Sequence, residues 1–140
     1  GASEEQEAVI RYALSKVGYP YSQEDRTSGS AYDCSSLVYY SWLSAGVDLS
    51  YGVGYPPTAA AEASKLYSYG TAVSTTRLDM RDMEPGDLVF YGGHDNKRFL
   101  GIYHVALYVG NGEVVEALNA DHGVVYETLR TNNIILVLRP

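Results

Sequence analysis

The sequence predicts an α+β fold in which N-terminal helices pack against a C-terminal antiparallel sheet. Two observations carry this. Up to about residue 70, apolar residues recur three and four positions apart, the spacing of one helix face. From Glu84 onward they come in short runs between turn residues, and Gly110-Asn111-Gly112 joins two of those runs as a hairpin. Helices first and strands after give segregated elements rather than alternating βα units.

Each element has its own signal. Ser3 and Gln6 form a capping box, and Val9, Ile10, Ala13, Leu14 and Val17 follow at helical spacing until Gly18 and Pro20 end the pattern. "SQEDRTSGSAY" reads as a polar loop. Asp33 is a good N-cap for a second helix, with Cys34, Leu37, Val38, Trp42 and Ala45 on one stripe and Gly46 as the stop. "YGVGYPP" is a loop, and Thr58 caps a third helix running to Tyr69 and Gly70. "EPGDLVFY" is a turn and a strand; "HVALYV" and "EVVEAL" flank the hairpin; "GVVYETL" and "IILVLRP" supply two more strands.

The 140 residues are expected to form one domain, 1–140, with an ordinary hydrophobic core. No apolar run approaches the roughly 20 residues that cross a bilayer, and the opening "GASEEQ" lacks the basic-then-apolar pattern of a signal peptide. The net charge of −7 and the absence of a Lys/Arg-rich stretch disfavour nucleic acid and anionic membranes as partners. One cysteine excludes an internal disulfide and a Cys-based zinc site. The 14 tyrosines, each a broad apolar face with a polar tip, suit a surface that binds peptides or sugars.

Cys34 is the residue with chemistry to offer. At the first position of a helix, free N–H groups and the dipole favour a thiolate. Asp33 opposes it, so a cation should compensate, and a histidine can do so while serving as general base and acid. His94 and His122 lie in loop and turn sequence and should face solvent. His104 opens a strand, where it can be held against a helix N-terminus. A third group must orient it. With a three-residue loop at 110–112, Ala106 opposes Glu116, and His104 shares a face with Glu116. With Asn111-Gly112 alone as the turn, Asn119 lies opposite His104 and Glu116 faces away. One residue of register decides.

These strings together resemble the NlpC/P60 family of papain-like cysteine peptidases, over nearly the whole chain and in the family's order. "VGYPY" is similar to the segment after its first helix, "DCSSLVYYSW" to its D-C-S-G-L-V nucleophile motif, and "YPPTAAAEA" to its Pro-x-Thr segment. "EPGDLVFY" and "HVALYVGNGEVVEA" resemble its P-G-D-L-V-F strand and its H-V-G-I-Y hairpin. The resemblance implies Cys34 as nucleophile, His104 as base and Glu116 as the third catalytic residue, which prefers the three-residue loop. It implies Tyr21, Asp33 and Ser35 as oxyanion and substrate contacts. It implies a peptidoglycan hydrolase that cuts stem peptides between γ-D-glutamyl and a diamino acid through a thioester, at the cell wall or outside the cell. No metal or cofactor is needed, and the domain is expected to belong to a larger secreted or wall-anchored protein. CHAP-type amidases share the order Cys, His, polar residue, but the strings above favour NlpC/P60; a binding module with an eroded site is the non-enzymatic alternative. Four departures stand out. Ser36 replaces the usual glycine after D-C-S. Glu116 replaces the usual His. The W-G-G of the first loop is missing. The link "GGHDNKRFLGIY" is longer than usual and is expected to form a rim over the site.

Overall fold

The computed structural model of the protein describes residues 3–74, 78–93 and 95–140. Three helices come first: α1 (Glu4–Ser15), α2 (Cys34–Leu43) and α3 (Ala59–Tyr69). Six strands follow: β1 (Thr71–Ser74), β2 (Leu88–Tyr91), β3 (His104–Gly110), β4 (Glu113–Asn119), β5 (Gly123–Thr128) and β6 (Ile134–Arg139). They form one antiparallel sheet in the order β1-β6-β2-β3-β4-β5. Short 3-10 turns at Met80–Asp82 and Phe99–Gly101 punctuate the links. The expected α+β order is the observed one. Strand β1 is an addition that no alternation in its four residues announced.

The helix starts follow their caps. Ser3 accepts from the Gln6 N–H while the Gln6 side chain answers the Ser3 N–H. Asp33 and Ser36 form the same reciprocal pair at α2, so Ser36, which stands where the family has glycine, completes the cap. Thr58 caps α3. Helix α2 corrects the single-stripe expectation. Leu37, Val38, Tyr39 and Trp42 are buried together with Ser35, Ser36 and Ser41. It is a central helix between α1 and the sheet, hidden on nearly all sides.

Alternation along the strands sorts the sheet's two faces. Leu88, Phe90, Val105, Leu107, Val115, Ala117, Leu136 and Leu138 point into the helical core. Val89, Tyr91, Ala106, Tyr108, Val114 and Val137 pack on the other face with Met83 and Leu129. Each fully buried Leu, Val or Phe contributes roughly 1.5–3 kcal/mol. The tyrosine excess is partly structural, since Tyr32, Tyr39, Tyr91 and Tyr108 are buried and Tyr12, Tyr19 and Tyr40 pack on the Tyr32 ring.

The β3–β4 hairpin combines the two turns considered from sequence. Gly110 pairs with Glu113 across Asn111 and Gly112, both at positive φ, the signature of a two-residue type I′ turn. A bulge at Val109 then shifts the ladder by one, so that Tyr108 opposes Val114 and Leu107 opposes Val115. Carried one step further, that register sets Ala106 against Glu116. The turn is shorter than the preferred expectation, yet the face shared by His104 and Glu116 is the expected one. The segment carrying Tyr21 is fixed in turn by β5: Gly18 donates to Val124 O and Val124 donates to Tyr19 O, each at 2.9 Å. Gly123 makes this approach possible, because a Cβ there would collide with the Tyr19 carbonyl.

Candidate active site

Cys34 is the first residue of α2, immediately after its cap. It lies in a groove of about 110 Å³. Asp33 and Ser35 flank it there, and Tyr21, Gln23, Thr58 and Ala59 line it. Arg98 and Tyr103, from the long link between β2 and β3, also line it. That is the rim expected of this segment. His94, in the same link, lies outside the described residues.

Burial pushes the Cys34 thiol up to about 11, against hydrogen bonds from the Val105 and Ser35 N–H groups that favour the thiolate and an Asp33 charge that disfavours it. Val105 directly follows His104, so the thiol rests against the start of β3. Cys34 and His104 are not hydrogen-bonded to each other. Burial there favours the neutral thiol over the thiolate.

His104 is buried, and its Nε2 meets Glu116 Oε1 at 2.6 Å. A carboxylate can only accept, so Nε2 carries the proton and Nδ1 is the free ring nitrogen. Glu116 is buried too, not the exposed strand carboxylate that its sequence context alone would allow. Its burial would favour the neutral acid, but hydrogen bonds from His104 and Arg130 outweigh that and hold the carboxyl down to about 2. Arg130 grips both oxygens, with Nη1 at 2.7 Å from Oε2 and Nη2 at 3.0 Å from Oε1. Tyr91 braces this group. Its ring lies 5.6 Å from that of His104 and 5.2 Å from the Arg130 guanidinium, and its hydroxyl donates to the Arg130 carbonyl at 2.8 Å. Asn119, the other orienting residue considered, instead caps its own turn by accepting from Asp121 and His122. His122 is exposed, as expected.

The cation that answers Asp33 is an arginine, not a histidine. Arg26 Nε lies 2.8 Å from Asp33 Oδ2, and the same guanidinium donates to Ser35 Oγ, Pro56 O and Pro57 O. Arg26 thus ties the first loop and the entry to α3 onto the cap of α2, and Ser35 is held from below by it. Tyr21 Oη is 3.5 Å from the Gln23 amide, and burial, with the Asp33 charge behind it, pushes the phenol up. It stays a neutral hydrogen-bond donor. Glu62 lies one turn into α3, on the face of Thr58 and Ala59. It is fully buried, neither carboxyl oxygen has a partner among the described residues, and burial pushes it well up.

Sequence reasoning identified Cys34, His104, Glu116, Tyr21, Asp33 and Ser35. The fold brings His104 and Glu116 into contact and gathers the other four around one groove. It missed Arg26, Arg130, Glu62 and Arg98. Arg98 alone had a signal, in the unusual length of its link. Among the described residues no group of His, Cys, Asp and Glu could hold a metal ion, and no helix is long and apolar enough to cross a membrane.

The model of the NlpC/P60 family matches residues 18–136. The bifunctional muramidase/DL-endopeptidase CwlT of Bacillus subtilis is 31% identical over 132 residues, which are 94% of this chain and 34% of CwlT. The probable endopeptidase p60 of Listeria innocua is 33% identical over 124 residues, 87% of this chain and 21% of p60. The chain thus spans about a third or less of these relatives' lengths. Among solved structures, RipA, the Resuscitation Promoting Factor Interacting protein, superposes with a TM-score of 0.72 at 28% identity, over 97% of this chain and 62% of that one. RipA has been solved mutated at a glutamate, at a cysteine and at a histidine.

Proposed function

The chain belongs to the NlpC/P60 family, and on that premise we propose that residues 1–140 are a catalytic domain, a cysteine endopeptidase of peptidoglycan acting at the cell wall or outside the cell. The bond cut is that between γ-D-glutamyl and the diamino acid of the stem peptide, diaminopimelate or L-lysine. The observation that carries this is the buried His104–Glu116 pair at 2.6 Å, its histidine on the strand whose Val105 N–H reaches the thiol of Cys34 at the start of α2. Two further facts support it. The relatives are named endopeptidases. The histidine and glutamate substituted in the RipA structures are 12 positions apart, the interval between His104 and Glu116.

The chemistry follows from the resting state. A thiol pushed up to about 11 is a poor nucleophile until its proton leaves, so attack is coupled to proton transfer onto His104 Nδ1. Glu116 then faces an imidazolium, whose charge the carboxylate stabilises while fixing the ring. The thiolate sulfur bonds to the γ-carbonyl carbon, and the oxyanion takes hydrogen bonds from Tyr21 Oη and the first N–H groups of α2. His104 returns the proton to the leaving amine as the C–N bond breaks and a thioester remains. It next takes a proton from water, whose oxygen attacks the thioester carbon; the C–S bond breaks, the peptide acid leaves, and the proton passes from His104 to the Cys34 sulfur to restore the thiol. Asp33 and Ser35, rigidly held by Arg26, contact the substrate's amino group and backbone.

The test is mass spectrometry of defined muropeptides with lysine or diaminopimelate stems, with and without sugar. Cleavage after γ-D-glutamate is the expected product. Release of an intact stem from muramic acid would assign an amidase, and no cleavage by folded, reduced protein would favour a binding module.

A further inference from the structure

The link 92–103 contributes a charge to the groove that the mechanism above leaves unused. Asp33, the acidic residue lining it, is neutralised by Arg26 at 2.8 Å. Arg98 also lines it, is exposed, and has no ion-pair partner among the described residues. Its backbone is braced rather than loose. The Arg98 N–H donates to Asn96 Oδ1 at 3.0 Å, Arg98 O accepts from Gly101 N at 2.9 Å, and Asn96 Nδ2 reaches Gly101 O at 3.1 Å. Phe99, the next residue, anchors the turn on Tyr67 with ring centroids 6.2 Å apart. An unpaired cation on a braced backbone therefore lines the groove that holds Cys34.

We propose that Arg98 is a specificity-determining residue that binds the free α-carboxylate of the γ-D-glutamyl residue and so selects stems in which that group is not amidated. This rests on the proposed endopeptidase function. A γ-linked glutamyl residue enters the peptide through its side-chain carboxyl, so its α-carboxyl remains outside the chain as an anion. Four C–C bonds separate that carboxyl carbon from the carbonyl carbon Cys34 attacks, an extended span of about 5 Å. With the carbonyl over the sulfur, a carboxylate about 5 Å away stays within the groove that Arg98 lines. A guanidinium matches a carboxylate with two parallel hydrogen bonds and gains far less from a neutral carboxamide. Asp33 remains tied to Arg26, so it does not compete for the Arg98 charge.

The experiment compares two synthetic stems, identical except for α-carboxylate or α-carboxamide on the γ-D-glutamyl residue, with the wild type, Arg98→Met and Arg98→Lys. For a partly exposed ion pair the wild type should prefer the carboxylate stem by about tenfold in kcat/KM, carried mainly by KM. Arg98→Met should lose that preference by slowing on the carboxylate stem alone, with unchanged thermal unfolding, and Arg98→Lys should recover part of it. Equal cleavage of both stems by the wild type, or a preference that survives Arg98→Met, overturns the Arg98 assignment and leaves the endopeptidase standing. Cleavage of neither stem overturns both.

Discussion

Replacing Glu116 by glutamine keeps the side chain's volume and removes its charge. The structure sets the size of the effect. Glu116 is 1% exposed, and its carboxyl is held at about 2 against an ordinary 4.5. That difference corresponds to roughly 3 kcal/mol of preference for the ionised form in the folded state. Because the folded value is the lower one, this stability is present above 4.5 and is lost as pH falls through about 2. At pH 7 Glu116→Gln should therefore cost about 3 kcal/mol, or about 10 °C in Tm for a chain of this length. The gap between variant and wild type should narrow steadily below pH 4.5 and close near pH 2. Thermal unfolding by circular dichroism across pH 2 to 7 measures it. A gap that stays constant over that range would refute the reasoning, since it would mean that the variant loses packing and not a held charge.

Other perturbations test the rest of the site. Glu62 is the opposite case: its folded value is raised well above 4.5, so its proton stabilises the fold at low pH and the stability drains away as pH rises through the raised value. Glu62→Gln should unfold at higher temperature than the wild type at pH 8 and show a smaller advantage at pH 4; an advantage that grows toward acid would reverse the assignment. Arg26→Met strands Asp33 and frees Pro56 O and Pro57 O, and should cost about 3 kcal/mol in urea unfolding. Asp33→Asn in that background should then cost less than it does alone, and additive losses would show that the pair does not interact. Cys34 should react with iodoacetamide slowly at pH 7 and faster toward its titration near 11; a midpoint below about 8 would show a pre-formed thiolate.

What was legible in the sequence was whatever local pattern decides. Ser3 with Gln6, Asp33 and Thr58 marked the helix starts because a cap satisfies N–H groups within three residues of itself. Asn111-Gly112 marked the hairpin because few other residues accept positive φ at two successive positions. The preferred register survived even though the turn was read one residue too long, because the bulge at Val109 restored it. A bulge changes no pattern that a short window can see. The residues that eluded reading are those whose meaning is distant. Arg26 sits in a string of polar residues that looks solvated and becomes buried only when α2 and Pro56-Pro57 close over it. Arg130 lies 14 residues beyond Glu116, past the end of β5, where nothing local announces its partner. Glu62 sits in an alanine-rich helical stretch where a surface carboxylate is the ordinary expectation. Cys34 and His104 stood out as candidates because each sits where an element begins, and there the end of the element fixes the side chain's place.

The account turns on Cys34 as the nucleophile of a stem-peptide endopeptidase. The most direct measurement is the rate of γ-D-glutamyl–diamino acid cleavage by the wild type and by Cys34→Ala, on the same muropeptide, with folding of both confirmed by circular dichroism. The wild type should release the γ-D-glutamyl fragment, and the variant should release none above the rate without protein. Equal cleavage by a folded Cys34→Ala protein would contradict the mechanism at its first bond.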